Sequence, residues 1–226
     1  MDAYVLAAGQ QIRYGQHESK MMAPINNRPA FAYTMDTLLS AFPQERITVI
    51  TSLTFPDFNN FVTETYPQSN LVVDKNSGKG TAHSLSKTFP WNSEKAFVTE
   101  ADIYYKPQLI ESHLELMGEN PEIKTIVTVT PQTLIAPTHR GIEVFPKLEI
   151  PEASKQKNNP SHKNVGAHTI SSDIENYWNG NTENVIDVLR FMQAAEEPML
   201  AHIYLSAYLH MANTEDIEIW NDYFQK

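Results

Sequence analysis

The strongest constraint on the fold is the alternation of short apolar runs and helical segments at the start of the chain. Residues 4–6, 46–51 and 70–74 are apolar or β-branched and are predicted to be strands, whereas 29–39 and 55–66 have helical patterns. Strands that alternate with helices in this way form a parallel sheet with crossover connections. The sequence therefore predicts an α/β fold built on a mainly parallel sheet.

Two further strands extend this regular part, at 95–100 and 124–130, with helices at 82–89 and 107–117. The remainder is less regular, and its predicted elements are antiparallel strands at 141–145 and 148–150, a mobile surface loop at 151–163, a strand at 164–170, a helix at 184–195, one or two strands at 201–211 and a helix at 215–224. Because no repeat or interdomain linker is evident, we predict a mixed sheet within a single domain over residues 1–226.

The composition limits the classes of function. The net charge of −10 argues against a nucleic acid or an anionic membrane as the main partner, although a few local cations can still hold a small anion. The absence of cysteine excludes thiol nucleophiles and Cys-ligated zinc. No apolar run approaches the roughly 18 residues of a membrane span, and no targeting segment precedes the first strand, so we expect a cytoplasmic protein.

A glycine-containing turn directly follows the first strand. Small residues let backbone N–H groups approach phosphate oxygens closely, and cations at the edges of such a loop add positive charge. Loops at the carboxyl ends of strands in open α/β sheets are also where ligands bind. The residues that form this candidate phosphate loop are Leu6, Ala7, Ala8, Gly9 and Gln10, followed by Arg13 and Lys20.

Two more loops are predicted to reach the same edge of the sheet. One contains Lys75, Gly80 and Thr81, and the other brings Asp102 after the strand at 95–100. Magnesium prefers oxygen ligands and is commonly held by one or two carboxylates plus substrate phosphates. These loops together suit nucleotide chemistry at phosphorus, where the protein positions reactants and neutralises charge. No histidine–carboxylate pair is obvious among the eight histidines.

The segment from Leu6 to Asp36 resembles the opening of the nucleotidyltransferases that activate sugar phosphates and related phosphates, above all the N-acetylglucosamine-1-phosphate uridylyltransferases. Their signature is Leu-Ala-Ala-Gly, any residue, Gly, Thr or Ser, Arg and then a Lys, and here Leu6 to Gly9, Arg13 and Lys20 fall at that spacing. The resemblance implies a Rossmann-like, mixed, mainly parallel sheet of the nucleotidyltransferase (glycosyltransferase A) type. It also implies magnesium-dependent transfer of a nucleotidyl group from an NTP to a phosphorylated sugar or small alcohol, with release of pyrophosphate.

The resemblance extends to individual residues. Arg13 and Lys20 would be catalytic through their contacts with the phosphates. The other implied positions are Leu6, Ala7, Ala8, Gly9, Gln10, Lys75, Gly80 and Thr81 for nucleotide binding, Gly141, Glu152 and Asn164 for the phosphorylated acceptor, and Asp102 and Asn213 for Mg²⁺.

Departures from the family pattern leave alternatives open. Gln11 stands in place of the second glycine of the signature, Ile12 in place of the following Thr or Ser, and Lys75 nearest to the base-reading Gln. One alternative is a cytidylyl- or guanylyltransferase that acts on a non-sugar phosphate such as phosphocholine, a polyol phosphate or the molybdenum cofactor. Another is a nucleotide-binding protein on the same fold without turnover. The sequence specifies neither the base nor the acceptor, and it leaves a homo-oligomer open.

Overall fold

The computed structural model describes residues 1–9, 19–75, 78–131, 162–180, 182–203, 206, 208–211 and 214–225. Its strands are β1 (Asp2–Leu6), β2 (Pro24–Ile25), β3 (Arg28–Pro29), β4 (Ile47–Ser52), β5 (Asn70–Asp74), β6 (Lys95–Glu100), β7 (Ile103–Tyr105), β8 (Thr125–Pro131), β9 (His162–Ser171), β10 (Met199–Ile203) and β11 (Tyr208–His210). Its α-helices are α1 (Ala30–Leu39), α2 (Pro56–Thr65), α3 (Thr81–Ser86), α4 (Gln108–Glu119), α5 (Ile174–Tyr177), α6 (Val185–Ala194) and α7 (Asp216–Phe224), and 3-10 turns lie at Lys20–Met22 and Gln44–Arg46.

Seven of the strands form one central sheet in the order β10-β8-β9-β6-β1-β4-β5. All neighbouring pairs are parallel except the two that involve β9, which runs antiparallel to both β6 and β8. The prediction of a mixed, mainly parallel α/β sheet is therefore confirmed. β1 lies between β4 and β6, so the segments that leave the carboxyl ends of β1 and β6 start side by side. Ligands bind at this edge in open α/β sheets.

Helices cover both faces of the sheet, which explains why its central strands are apolar on both sides. Ala3 and Val5 of β1 belong to one core cluster, which also contains buried residues of α1, α2 and α4. Tyr4 points to the opposite face and belongs to a second cluster, with buried residues of α3 and α6. This alternation along β1 is the period of two that an extended strand imposes on its side chains.

A third, smaller core fixes the end of the chain beside the sheet edge. It contains Ile25 of β2, Met211 and Trp220 of α7, all of them fully buried. The backbone N–H of Asn26 also donates a hydrogen bond of 2.8 Å to Oδ1 of Asn221. These contacts hold α7, and the strand β11 that precedes it, against the β2–β3 hairpin.

The structure refines several predicted elements. The segment predicted at 201–211 divides into β10, in the central sheet, and β11, which pairs antiparallel with β7. Pro29 precedes α1 instead of being its first residue. The strands predicted at 141–150 and most of the loop predicted at 151–163 lie outside the described residues. None of the helices in the described part of the chain has the length and apolar character that crossing a bilayer requires.

Candidate active site

A cavity of about 340 Å³ opens at the carboxyl ends of β1 and β6. Its walls come from the segment after β1, the 3-10 turn, the start of α3 and the residues around the end of β6. The lining residues are Leu6, Ala7, Ala8, Gly9, Lys20, Met21, Gly78, Gly80, Thr81, Ser84, Glu100, Asp102, Asn184 and His210. Three sequence-distant loops thus meet around one concave space, which is the form that small-molecule sites usually take.

Lys20 enters this cavity from the first residue of a 3-10 turn. The next residue, Met21, is 2% exposed and belongs to the core beneath α1, so it anchors the turn to the body of the protein. The backbone N–H of Met22 donates to the carbonyl of Ser19 at 2.8 Å and closes the turn. With its backbone fixed in this way, Lys20 places Nζ against Oδ2 of Asp102 in an ion pair.

Asp102 lies in the short turn between β6 and β7, and neighbouring elements hold that turn on several sides. The hydroxyl of Thr34 in α1 donates to the carbonyls of Ala101, at 3.2 Å, and Ile103, at 2.7 Å. The backbone N–H of Met211 donates to the carbonyl of Asp102 itself at 2.8 Å. The turn is therefore fixed from α1 on one side and from the end of β11 on the other, and the position of the carboxylate is set by the fold.

Two further titratable side chains lie beside Asp102. Nε2 of His210, the last residue of β11, is 3.1 Å from Oδ2 of Asp102. Glu100 is the last residue of β6, and ligand atoms of Glu100, Asp102 and His210 all lie within 4.8 Å of one another. Two carboxylates and an imidazole at this spacing are a donor set that fits a divalent cation.

The charges of this cluster shift the pKa values of its members in different directions. Burial alone would raise the pKa of Asp102, but the cations of Lys20 and His210 and their hydrogen bonds hold it well below its ordinary value. Burial raises the pKa of Glu100 to about 7, and repulsion by Asp102 acts in the same direction. Burial would lower the pKa of His210, but attraction to Asp102 outweighs this effect and raises it. The cluster thus concentrates negative charge at Asp102.

The far wall of the cavity is a close junction between the starts of α3 and α6. Gly80 adopts φ +95° and ψ 169°, and a Cβ there would lie 2.0 Å from the carbonyl oxygen of Glu183. The hydroxyl of Thr81 accepts a hydrogen bond of 3.0 Å from the backbone N–H of Val185, and the N–H of Ala82 donates to Glu183 at 2.9 Å. Both residues predicted for nucleotide binding here therefore also join the two helices.

The structure brings together most of the predicted site residues that it describes. Lys20, Asp102, Gly80, Thr81 and the segment from Leu6 to Gly9 all line the cavity. Lys75 is exposed after β5 and is not among the lining residues, and Asn164 lies on β9 near its start. The remaining predicted positions fall outside the described residues, namely Gln10, Arg13, Gly141, Glu152 and Asn213.

Sequence reasoning missed two members of the cluster, Glu100 and His210, and it found no histidine–carboxylate pair where the structure has one at Asp102. Glu100 could have been predicted from the local sequence, because it stands two residues before Asp102 at the end of a predicted strand. No local sequence feature indicates the position of His210, since that position depends on the pairing of β11 with β7, where His210 lies opposite Ile103.

Comparison with known protein families agrees with this arrangement. The model of the MobA-like NTP transferase domain matches residues 3–165, which is more than half of the chain and includes both Lys20 and Asp102. The chain belongs to this family. The predicted relationship to nucleotidyltransferases is thereby confirmed.

Two curated relatives carry more specific names. The chain is 25% identical over 134 residues to the bifunctional protein GlmU of Thermodesulfovibrio yellowstonii, a match that covers 58% of this chain and 29% of GlmU. It is 26% identical over 138 residues to the adenosylcobinamide-phosphate guanylyltransferase of Methanocaldococcus jannaschii, which covers 58% of this chain and 69% of that protein. The matched region thus spans less than a third of the length of GlmU.

A solved structure supports the fold. The inositol-1-phosphate CTP transferase from T. maritima superposes with a TM-score of 0.80 at 19% identity, covering 97% of this chain and 93% of the other. At this level of identity the likeness shows the shared architecture alone. This shared architecture agrees with the glycosyltransferase A type of sheet that was predicted from the sequence.

Proposed function

We propose that this protein transfers a nucleotidyl group from an NTP to a phosphorylated sugar or small alcohol, with release of pyrophosphate and with Mg²⁺ as the expected cation. The observation that carries the proposal is the meeting of Lys20 and Asp102 in one cavity beside the glycine-containing segment after β1. A cation that can bind phosphate and a carboxylate that can bind a metal are what phosphoryl chemistry requires of a protein. Membership of the NTP transferase family supports the same reaction.

The proposed reaction is an in-line displacement at the α-phosphorus. An oxygen of the acceptor phosphate forms the new bond, and the bond from the α-phosphorus to the bridging oxygen of the β-phosphate breaks, so that pyrophosphate leaves. The acceptor phosphate is already ionised at neutral pH, and the reaction therefore needs no general base. A divalent cation held by Asp102 would neutralise charge on the α-phosphate.

The protein's own residues then bind and position the reactants. Lys20 neutralises charge that develops on the α-phosphate and the acceptor phosphate. To do so, its ammonium group leaves Asp102 and contacts the phosphate oxygens. Arg13 binds the β- and γ-phosphates, and the backbone of residues 6–10 supports them. The other proposed contacts are Lys75, Gly80 and Thr81 for the nucleotide, Gly141, Glu152 and Asn164 for the acceptor, and Asn213 for the metal.

A second candidate differs only in the acceptor. The guanylyltransferase relative named for adenosylcobinamide phosphate matches over 69% of its own length, a larger share than for GlmU. The name of this relative supports a non-sugar phosphate as the alternative acceptor. Arg13 and Lys20 would keep the same roles, because the displacement at phosphorus is the same for both acceptors.

A pyrophosphate-release assay tests the proposal. Wild-type protein is incubated with each of the four NTPs, Mg²⁺ and a mixture of sugar phosphates and other small phosphates, and pyrophosphate is measured. We expect release with at least one combination, and a fall of at least about 100-fold in Asp102→Asn, because the charge that holds the cation is lost.

The matched control is Asp36→Asn. Asp36 is an exposed aspartate of α1 that forms a surface ion pair with Arg28, so its loss should leave the rate unchanged. Nucleotide binding without pyrophosphate release in any combination would refute the proposal and favour a binding protein. Equal rates in wild type and Asp102→Asn would remove Asp102 from its role.

A further inference from the structure

We propose that His210 is a direct ligand of the divalent cation, next to Asp102 and Glu100, and that this mixed imidazole–carboxylate set binds first-row transition ions such as Mn²⁺ more tightly than Mg²⁺. The inference rests on the proposed function, which gives the reason for a cation at Asp102. It goes beyond the expectation from the family resemblance, where the second protein ligand is Asn213 and the cation is Mg²⁺.

The distance between the two nearest donor atoms carries the argument. Nε2 of His210 lies 3.1 Å from Oδ2 of Asp102. Two donors that each lie about 2.1 Å from one ion and subtend a right angle there are about 3.0 Å apart. This contact is a hydrogen bond, and its length is also close to the separation of adjacent ligands around a single ion.

Glu100 completes the set. One ligand atom from each of Glu100, Asp102 and His210 lies within 4.8 Å of the others, and opposite ligands of an ion with bonds of about 2.1 Å are about 4.2 Å apart. Small rotations of the Glu100 side chain are therefore enough to bring all three donors onto one ion. Gly166 of β9, at φ +74°, leaves the space for this side chain, because a Cβ there would lie 3.0 Å from Cδ of Glu100.

The backbone fixes the imidazole relative to the carboxylate. His210 lies opposite Ile103 in the antiparallel pair of β11 and β7, and Ile103 directly follows Asp102. The hydrogen bond from the N–H of Met211 to the carbonyl of Asp102 extends this pairing by one step. A ligand on β11 and a ligand in the turn directly before its partner strand β7 are held more precisely than two ligands on separate loops.

The chemistry of the donors decides which ions the site favours. Mg²⁺ takes oxygen ligands almost entirely and keeps much of its water, whereas imidazole, which releases its proton when it binds a metal, suits first-row transition metals, and carboxylates suit Mn²⁺ as well. A site in which one of three protein ligands is an imidazole nitrogen therefore disfavours Mg²⁺ relative to Mn²⁺.

Electron paramagnetic resonance of the nucleotide-free protein with Mn²⁺ tests the proposal. The loss of the free-ion signal during titration gives the affinity, and electron spin echo modulation detects a nitrogen bonded directly to the ion. We expect nitrogen modulation in the wild type and displacement by Mg²⁺ only at concentrations at least about tenfold above those of Mn²⁺. His210→Gln should lose the modulation and bind Mn²⁺ about 10- to 100-fold more weakly.

The matched control is His83→Gln, which removes an imidazole of α3 that lies 3.8 Å from Asp74 and outside the cluster, and it should change neither readout. Bound Mn²⁺ without nitrogen modulation in the wild type would overturn the proposal, even if the variants did not fold. Equal affinity in wild type and His210→Gln would also overturn it. Pyrophosphate release measured on the same preparation tests the proposed function separately: release without nitrogen modulation refutes only the ligand role, and modulation without release refutes only the reaction.

Discussion

Lys20 and Asp102 are 82 positions apart in the sequence, yet the lysine ammonium contacts a single carboxylate oxygen, Oδ2, which His210 also approaches. Both side chains are mostly buried, with side-chain exposures of 17% for Lys20 and 9% for Asp102. A lysine in this position can neutralise either the carboxylate or an incoming phosphate. Replacement of Lys20 is therefore the most direct test of how the site works.

Lys20→Ala should lower kcat for pyrophosphate release by about 10²- to 10³-fold, because the transition state then lacks one preorganised positive group. The rate is measured at saturating nucleotide, so that weaker binding does not contribute. Lys95→Ala is the matched control, since Lys95 begins β6 and donates to the carbonyl of Pro121, at the opposite end of the strand from Glu100. A rate within a factor of two of wild type in Lys20→Ala would exclude the assigned role.

The sequence predicted residues of the site where local rules apply. Lys20 and Asp102 follow parallel strands, and the carboxyl ends of such strands meet at one edge of the sheet, so their proximity could be inferred. His210 could not be inferred, because it depends on a three-residue strand that pairs with another three-residue strand more than 100 positions away. No local pattern specifies such a pairing.

The same distinction holds for whole elements. The bounds predicted for β5 and β6 agree residue for residue with the structure, because both strands are short apolar runs bounded by turn residues. The β2–β3 hairpin and β7 were not predicted, since each has only two or three residues and exists through its contacts. The backbone conformation that a single residue must adopt where two elements meet could not be predicted from the sequence either.

Gly80 is the position where this junction effect can be measured. Its φ and ψ lie in a region that only glycine adopts readily, which alone makes Gly80→Ala destabilising by about 1–3 kcal/mol. The added Cβ would also meet the backbone of Glu183 at 2.0 Å, so that α3 and the start of α6 would have to separate. We expect a lower free energy of unfolding in urea and weaker nucleotide binding.

Gly118→Ala makes the same chemical change as Gly80→Ala, but we expect it to raise the free energy of unfolding. Gly118 is the next-to-last residue of α4, and among the described residues a Cβ there would meet nothing within 4 Å. Because alanine is a better helix former, this variant should be more stable by at most about 0.5–1 kcal/mol, the value for a helix interior. Equal unfolding free energies for the two variants would contradict the assignment of Gly80 to a closed junction.

The central sheet buries a histidine whose protonation opposes the folding of the protein. His168 of β9 lies between Val98 of β6 and Val127 of β8, and it is 4% exposed. Its Nδ1 has no hydrogen-bond partner among the described residues. Burial lowers the pKa of His168 to about 4, so the folded protein keeps this imidazole neutral through most of the acidic range.

This depressed pKa makes the stability of the protein depend on pH in a defined window. Well above pH 6.5 the imidazole is neutral in the folded and the unfolded chain, so it contributes no pH dependence. Between about pH 6.5 and pH 4 only the unfolded chain takes up the proton, and the free energy of unfolding falls as the pH falls. From pH 7 to pH 5 this single group should lower it by about 2 kcal/mol.

Comparison with His168→Leu removes the contribution of the titrating groups that both proteins share, and apart from His168 itself it changes the pKa of His113, which His168 also lowers. Urea unfolding at pH 5, 7 and 8 should show that the wild type loses about 2 kcal/mol more than the variant between pH 7 and pH 5. Between pH 7 and pH 8 the two proteins should change in parallel, since His168 is then almost entirely neutral in both states. Parallel behaviour down to pH 5 would mean that the folded protein accepts a proton at His168, and the sheet would then have to open around β9 to hydrate it.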